Sequence, residues 1–237
     1  GVESRVGRWA GLDTRTRLQD METCAQVLAG PLDIDMETVH FYFSEQLTPG
    51  GYAWIFPKGN GMANIGLGVA GQHAATVRPL ASLQRFLQNH FPQARSFSFT
   101  CGGVPCPPPL KIIVTDGCLL TGDAAHQVNP MTGAGIVTAL QAGRLAGQIA
   151  ADAIRNRDVS RAFLRTYEQT WHSGDGARQE HFYRLKKFAL GLDDGQLDAL
   201  ADVMLKLPFE KRTILNIFRN AVLHKPSLLW DVLRVFT

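Results

Sequence analysis

The segment GYAWIFPKGNGMANIGLGVAG, residues 51–71, constrains the fold of this 237-residue chain more than any other. Its three aromatic residues occupy alternate positions: Tyr52, Trp54 and Phe56. Side chains alternate between the two faces of a strand, so the three rings share one face. Residues 58–61 contain an Asn-Gly pair, which favours a tight β-hairpin. We therefore predict strands over 52–56 and 62–69, joined by this turn.

The length of the hairpin loop decides what the rings face. An even number of loop residues places Trp54 opposite Ile65 or Leu67, and the aromatic face is then a filled core. A three-residue loop, residues 59–61, places Trp54 opposite Gly66. Glycine has no side chain, so that register leaves a groove where a ligand can approach. The residues alone leave both registers open.

The end of the hairpin, residues 66–71, fits the G-x-G-x-x-G pattern of dinucleotide sites. Such a site needs a helix at its last glycine and an acidic residue about 20 positions further on. Here residues 72–79 separate the pattern from the next helical periodicity, and no Asp or Glu occurs between Gly71 and Thr115. We therefore interpret the glycines as small residues within a strand.

Alternation and helical spacing predict the remaining elements. Further strands are predicted over residues 39–44, 96–100, 112–114 and 118–120. Helices are predicted over residues 80–91, 133–154, 161–171, 179–190, 194–205, 210–220 and 227–236. Cys101–Pro109 is predicted to be a stiff extended loop, because proline lacks an N–H donor and fixes its own φ. The candidate core positions of the long helix are Ile136, Val137, Leu140, Leu145, Ile149 and Ile154.

Composition excludes several classes of protein. A net charge of +3 is too small to indicate nucleic-acid binding, and the four cysteines form no C-x-x-C pair that would indicate zinc. The sequence contains no window of eighteen uninterrupted apolar residues, so no transmembrane helix is predicted. The chain opens at Gly1 without an initiator Met or a signal peptide, so we expect a cut inside a longer protein.

The most informative segment is LLTGDAAHQVNPMTGAGIVTAL, residues 119–140. A short strand delivers Gly122-Asp123, and a Gly-Ala-Gly step opens the long helix. Glycine lets a ligand approach the backbone closely, and the N–H groups of a helix N-terminus suit an anion or an electron-rich carbonyl. Asp123 can accept hydrogen bonds from a polyol or a ribose. The segment predicts a site for a phosphorylated or flavin-like ligand; the alternative is a helix cap with glycines for packing.

Two motifs resemble known flavoproteins. GDAAHQVNPMTGAGI resembles the second FAD-binding motif, the Gly-Asp motif, of the group that includes aromatic hydroxylases, and GVESRV resembles the end of that group's Asp-Gly motif. PGGYAWIFPKGNGMANIGLG is similar to the Y-x-W-x-F-P…G-x-G pattern of geranylgeranyl reductases. The matching positions are Tyr52, Trp54, Phe56, Pro57, Gly66 and Gly68. The resemblance is strongest over residues 49–68 and 122–154.

In the resembled family, FAD delivers hydride to isolated C=C bonds of polyprenyl chains. The resemblance implies that the six motif positions of the hairpin line a lipid channel. It implies a cofactor site at Gly122, Asp123, Pro130, Gly133, Ala134, Gly135 and Ile136. Asp123 would bind the ribityl or pyrophosphate region, and residues 133–135 would lie near the flavin pyrimidine edge. The family's N-terminal strand, G-x-G-x-x-G turn and helix are not in this chain, so FAD binding by the chain alone is left open.

The expected fold class is α+β, with an antiparallel-sheet substrate domain, the C-terminal part of an FAD-binding α/β domain and a helical tail. The expected division is 1–30 as an FAD-domain segment, 31–110 as the sheet domain, 111–155 as the strand–turn–helix unit and 156–237 as the helical region. The expected function is FAD-dependent reduction of C=C bonds in geranylgeranyl chains of an ether lipid, chlorophyll or quinone precursor, with the ether lipid preferred. The alternatives are an aromatic hydroxylase-type monooxygenase and a non-catalytic lipid-binding fragment.

The expected partners are an isoprenoid or prenylated lipid and an unassigned electron donor, NAD(P)H or a ferredoxin, without nucleic acid. A cytoplasmic location is expected, with peripheral contact with a membrane left open. No catalytic residue or proton donor is assigned. For His126, a contact with the flavin or the transfer of a proton is left open beside a structural role, and the cysteines Cys101 and Cys106 are taken as structural. A basic run is taken as a solvated face, with a phosphate contact as the alternative: Arg178, Arg184, Lys186 and Lys187. Three apolar residues are expected to pack on the domain: Trp230, Leu233 and Phe236.

Overall fold

The computed structural model describes residues 1–211. Its strands are β1 (Met21–Gly30), β2 (His40–Tyr42), β3 (Ala53–Gly59), β4 (Met62–Ala70), β5 (Arg95–Pro105), β6 (Val114–Thr115) and β7 (Cys118–Leu119). Its α-helices are α1 (Arg5–Trp9), α2 (Pro79–His90), α3 (Ile136–Asn156), α4 (Arg161–Trp171), α5 (Ala177–Ala189) and α6 (Asp194–Lys206). The predicted helix over 227–236, with Trp230, Leu233 and Phe236, lies outside the described residues, as does almost all of the one over 210–220. The expected α+β class is confirmed.

Five antiparallel strands form the main sheet in the order β2-β3-β4-β1-β5. The strand β1 pairs with both β4 and β5, and sequence periodicity did not predict it. Its buried positions are mostly alanines, Ala25 and Ala29 around Val27, so its alternation in hydrophobicity is weak. The sheet therefore begins at Met21 rather than after residue 30.

The β3–β4 hairpin combines features of both predicted forms: it has the strand register of a three-residue loop and a turn with an even number of residues. Trp54 pairs with Gly66, as a three-residue loop would require. The turn nevertheless contains two residues, Asn60 and Gly61, both at positive φ (52° and 68°). An irregularity in β3 between Pro57 and Gly59 supplies the extra residue. A β-bulge places two residues opposite one, so it restores the register that the loop length alone would shift.

The prediction of a loop over Cys101–Pro109 was partly wrong, because β5 continues to Pro105. This strand lies at the edge of the sheet, and its last residue pairs with Met21. An edge strand tolerates proline because the missing N–H faces away from the ladder. The extended loop is therefore confined to the residues that follow Pro105.

The two faces of the sheet differ. One face packs against α2 in a core that contains Ala25, Val27, Ile55, Ile65, Leu67, Leu83 and Phe86. Tyr52, Trp54 and Phe56 alternate with the buried Ala53 and Ile55, so they occupy the other face, which α2 does not cover. We call this other side the open face.

The hairpin β6–β7 and the helices α3 and α4 form a second core. On α3 the buried residues are Ala142, Ala146 and Ala153, with Leu145 and Ile149 packed beside them. The prediction was wrong for four of the six core positions, since these are exposed: Ile136, Val137, Leu140 and Ile154. The helix carries two apolar stripes, and its small residues allow α4 to pack closely on the alanine side.

From Asn156 to residue 211 the chain is mostly helical, as predicted, and α4 has the predicted bounds. A π-helical turn, His172–Gly176, joins α4 to α5. Two contacts bring α5 to the start of β1: the Tyr183 hydroxyl donates to Asp20 at 2.8 Å, and the Lys186 ammonium donates to Glu22 at 3.0 Å. Within residues 1–211, no helix is long and apolar enough to cross a membrane.

Candidate active site

A series of buried hydrogen bonds, called here the buried polar chain, holds the Gly122-Asp123 turn in place. Gly122 has a φ of +63°, and its N–H donates to the Gln127 side-chain oxygen at 2.8 Å. The Gln127 amide donates to the Tyr167 hydroxyl at 2.8 Å, which donates to the Leu120 carbonyl at 2.8 Å. Gln127 and Tyr167 are fully buried. The core therefore sets the position of Asp123, which is half-buried at the edge of the turn.

The loop that opens α3 is held by Asn129. Its side-chain oxygen accepts the N–H of Met131 at 3.0 Å, and its backbone carbonyl accepts the N–H of Gly133 at 2.9 Å. Gly133 has a φ of +72°, a conformation that side chains other than glycine rarely adopt. The loop thus turns sharply before α3, with Pro130 buried within it.

Asp123 and the start of α3 are adjacent. A Cβ on Gly135 would lie 3.5 Å from the Asp123 carboxylate and 3.2 Å from Val128. No side chain among the described residues caps the helix, and its first turn carries no acidic residue. The free N–H groups and the partial positive charge of a helix N-terminus bind anions and electron-rich carbonyls. The segment therefore presents a carboxylate acceptor and backbone donors side by side, while Ala134 and Ile136 are exposed beside them.

His126 has a structural role. It is 2% exposed, its Nε2 lies 2.9 Å from the Thr16 hydroxyl, and its carbonyl accepts the Gln179 amide at 3.2 Å. Burial lowers the pKa of the imidazole. A buried, neutral and hydrogen-bonded histidine fixes the loop conformation, one of the roles that the sequence left open.

A row of rings covers one side of the open face. Tyr52 and Trp54 have centroids 5.7 Å apart, and Trp54 stacks on Phe56 at 6.0 Å. Phe41 on β2 joins the row at 5.5 Å from Tyr52 and 5.8 Å from Phe56. We call these four residues the aromatic row. With about 3.4 Å per residue, the row extends about 14 Å from Tyr52 to Phe56 along the direction of β3.

Trp54 occupies the space that Gly66 leaves. A Cβ on Gly66 would lie 2.5 Å from the indole ring, and the indole N–H donates to Gln26 on β1 at 3.0 Å. The groove expected over Gly66 is therefore filled by the ring itself. Gly68 differs, because a Cβ there would meet only the Cys24 sulfur, at 3.2 Å. Pro57 pairs with Ala63 and alternates with the rings, so it falls on the other face of the sheet.

The aromatic row meets the loop before α3 through two contacts. The Tyr52 hydroxyl donates to the carbonyl of Thr132. A Cβ on Gly133 would lie 3.6 Å from Val104 on β5. The two groups of residues predicted from separate motifs, one apolar and one polar, therefore adjoin each other.

The comparisons with known proteins match this architecture. A family model described as the geranylgeranyl reductase catalytic domain matches residues 20–104. The digeranylgeranylglycerophospholipid reductase 1 of Methanococcoides burtonii is 38% identical over 237 residues, all of this chain and 58% of that protein. The corresponding reductase of Methanosarcina acetivorans is 40% identical over 239 residues, all of this chain and 59% of that protein.

A solved structure is similar over nearly the whole chain. It is a geranylgeranyl bacteriochlorophyll reductase-like protein from Thermoplasma acidophilum, with a TM-score of 0.89 and 29% identity over 99% of this chain and 60% of that one. Over residues 20–104 the chain is similar to the geranylgeranyl reductase family. It spans somewhat under three fifths of the length of the curated relatives named above. The flavin-dependent brominase Bmp2, 15% identical with a TM-score of 0.62 over 99% of this chain and 55% of that one, shares the fold.

The family match from residue 20 to 104 coincides with strands β1 to β5 and α2. Sequence reasoning missed five residues of the open face or its margin: Glu22, Cys24, Gln26, Phe41 and Lys186. Three of them alternate along β1, so recognition of that strand would have found them. Lys186, taken as part of a solvated face, is instead buried beside Glu22, while Arg178 pairs with Asp175 at the surface. Cys101 is exposed and Cys106 is buried, and both are free thiols.

Proposed function

We propose that the protein is an FAD-dependent reductase that saturates C=C bonds of geranylgeranyl chains in an archaeal-type ether lipid precursor. The observation that carries the proposal is the junction between the aromatic row and the loop before α3, made by the Tyr52 hydroxyl and the Thr132 carbonyl. A prenyl chain lying on the rings would run directly to that loop. The names of the relatives, digeranylgeranylglycerophospholipid reductases, support the class of lipid.

The residues at the start of α3 fit a flavin nucleotide. Gly133 adopts a backbone conformation suited to glycine, and a side chain at Gly135 would crowd Val128 and the Asp123 carboxylate. In the proposed complex Asp123 accepts hydrogen bonds from the hydroxyls of the ribityl chain. The first N–H groups of α3 would donate to the electron-rich edge of the flavin, at the end of a helix dipole worth about half a positive charge. Bound FAD supplies the hydride chemistry.

The aromatic row supplies the apolar surface for the prenyl chain. Its rings are half-buried or exposed, so a lipid that covers them removes apolar area from water, worth about 25 cal/mol per Å². Burial raises the pKa of Tyr52 to about 12. Its hydroxyl therefore stays protonated at neutral pH and keeps its hydrogen bond to Thr132. The expected partners are this lipid, a nicotinamide or ferredoxin reductant, and a peripheral contact with the membrane that carries the lipid.

The test uses the complete gene product loaded with FAD. The flavin is reduced with dithionite under anaerobic conditions and mixed with a digeranylgeranyl ether lipid. The expected result is reoxidation of the flavin and a lipid that gains two hydrogens for each saturated bond, read by mass spectrometry. A flavin that stays reduced with an unchanged lipid would refute the reductase. A product that gains oxygen only in air would indicate the hydroxylase, and lipid binding by a colourless protein would indicate a binding module.

A further inference from the structure

A buried ion pair lies at the end of the open face. The Lys186 ammonium on α5 donates to Glu22 Oε1 on β1 at 3.0 Å, and their side chains are only 7% and 13% exposed. The second carboxylate oxygen, Oε2, is buried and has no hydrogen-bond partner among residues 1–211. Burying a charged oxygen without a partner costs several kcal/mol by order of magnitude, so this arrangement calls for an explanation.

Alternation along β1 places Glu22 beside the proposed site. Ala25 and Val27 point into the core, so Glu22, Cys24 and Gln26 point to the open face. Glu22 is directly opposite Val104, whose side chain approaches Gly133. Cys24 is opposite Gly68, and the Gly68 N–H donates to the carbonyl of Tyr52 at 3.0 Å.

Val104 thus lies between the carboxyl and the cofactor loop on one side. On the other side, Cys24 and Gly68 lie between the carboxyl and Tyr52 of the aromatic row. No other acidic residue on β1 alternates onto this face, since the strand contains a single Glu and no Asp.

The surroundings of Glu22 shift its protonation toward the carboxylic acid, so it keeps its proton to a higher pH than an ordinary Glu. Burial raises the pKa of Glu22, while Lys186 and, more weakly, His73 oppose the shift. The other titratable groups near it are the Cys24 and Cys106 thiols and the Tyr52 hydroxyl, and burial raises the pKa of each to about 12. A carboxyl group is a stronger acid than a thiol or a phenol, so Glu22 is the most acidic group of this set. A general acid works best when its pKa lies near the working pH.

We propose that Glu22 is the proton donor for saturation of the prenyl double bond, an inference that rests on the proposed function. The π bond breaks, and one of its carbons receives the hydride and its electron pair from the reduced flavin. The other carbon forms a bond to the proton from Glu22 Oε2, and the O–H electron pair stays on that oxygen. The flavin is oxidised by two electrons and the alkene is reduced by two. The resulting carboxylate lies beside the Lys186 ammonium until it takes a proton from solvent.

Lys186 is a positioning residue in this scheme. It holds Oε1, so Oε2 is the oxygen left to carry the proton. Its positive charge also stabilises the carboxylate that remains after the transfer. The pair therefore combines a carboxyl whose pKa is raised by burial with a cation that stabilises its carboxylate, as a reversible proton donor requires.

The first test is Glu22→Gln in the complete gene product, which keeps the shape and removes the acid. The flavin content should be unchanged, and anaerobic reoxidation of reduced flavin by the prenyl lipid should slow by about 100-fold or more, the low end of general acid catalysis. Glu168→Gln is the matched control. Glu168 is also buried, but it lies on α4 and its Oε2 accepts the Ile113 N–H at 2.9 Å. This control should reoxidise at the wild-type rate.

Chemical rescue separates proton donation from a structural role. In Glu22→Ala, added formic acid buffer should restore flavin reoxidation in proportion to its concentration, and the Glu168 variant should not respond. A wild-type rate in Glu22→Gln, or the absence of rescue in Glu22→Ala with normal flavin content, would overturn the proposal. Failure of the wild-type protein to saturate the lipid would instead overturn the proposed function.

Infrared spectroscopy tests, without turnover, whether Glu22 holds a proton. The C=O stretch of a protonated carboxyl should persist in this chain above the range near pH 4.3 where an ordinary Glu titrates. That band should be absent from Glu22→Gln and present in Glu168→Gln. If all carboxylic acid bands disappear within the ordinary range, Glu22 holds no proton and the proposal fails, whatever the flavin measurements show.

Discussion

The contact between Trp54 and Gly66 gives the sharpest quantitative prediction of the structure. In Gly66→Ala, the new methyl group would lie 2.5 and 2.6 Å from two atoms of the indole and 2.8 Å from the Ala25 carbonyl. Real Cβ atoms essentially never come this close, so the ring must move. Its hydrogen bond to Gln26, 3.0 Å long, would then be lost.

The magnitude follows from three contributions. Overpacking costs about 1–3 kcal/mol. Loss of a hydrogen bond costs about 0.5–1.5 kcal/mol. Replacing glycine by alanine returns about 0.4–1 kcal/mol through the entropy of the unfolded chain. The net destabilisation is about 0.5–4 kcal/mol, and at roughly 3 °C per kcal/mol for a chain of this size the midpoint should fall by about 1.5–12 °C.

The assay is thermal unfolding followed by circular dichroism, with Gly102→Ala as the matched control. Gly102 lies on the same face, opposite Cys24, and a Cβ there would meet nothing within 4 Å. That variant should unfold at or slightly above the wild-type temperature. In the Trp54→Ala background, Gly66→Ala should cost about 1–3 kcal/mol less, because the ring that collides is gone. Equal melting of the two glycine variants would refute the position of the ring.

Three further predictions follow from the same contacts. Asp123→Ala should weaken flavin binding by about 10- to 100-fold, because a hydrogen bond to a charged group is worth about 1.5–3 kcal/mol. Fluorescence titration measures the flavin affinity, and an unchanged affinity would show that Asp123 does not bind the flavin. Lys186→Met should destabilise the fold by about 3–5 kcal/mol at pH 8 by leaving a buried Glu22 carboxylate unpaired, as read from urea unfolding. The pKa of Glu22 is raised in the folded state, so protonation of Glu22 favours the fold. The loss of stability in Lys186→Met should therefore shrink as the pH falls through that pKa. A loss of stability that does not depend on pH would contradict the raised pKa of Glu22. Gln127→Leu should lower the free energy of unfolding by about 2–4 kcal/mol, because it leaves the Gly122 N–H without an acceptor and the Tyr167 hydroxyl without a donor. Thermal unfolding measures this loss, and a wild-type midpoint would refute the buried polar chain.

The sequence predicted the parts of the fold that depend on local pattern. The helix α4, the Asn-Gly hairpin and the strand–turn–helix around Asp123 all follow from spacing, turn residues and alternation. The proximity of Tyr52 to the loop before α3 did not follow from pattern, since 80 positions separate the two partners of that hydrogen bond. The family resemblance implied a lipid channel and a cofactor site, and the contact between them is seen only in the structure.

The failures have identifiable physical causes. Periodicity predicted that α3 is amphipathic, but it did not predict which of its sides faces the core. The structure buries the alanines of α3 and leaves Ile136 and Leu140 exposed. A bulge in β3 offset a two-residue turn, so loop length did not determine what Trp54 faces. Alanine-rich alternation concealed β1 and, with it, Glu22. Each of these features depends on tertiary contacts that a single chain segment does not encode.

The central claim is that the aromatic row binds the prenyl chain beside a separate cofactor site. The most direct test is Trp54→Ala in the FAD-loaded complete gene product, with flavin content and anaerobic reoxidation by the prenyl lipid measured on the same sample. We expect wild-type flavin content and a loss of about tenfold or more at low lipid concentration, since a large side chain that the lipid covers contributes about 1.5–3 kcal/mol. Unchanged reoxidation, or an equal loss of flavin and rate, would show that the row is only part of the core and would contradict the account.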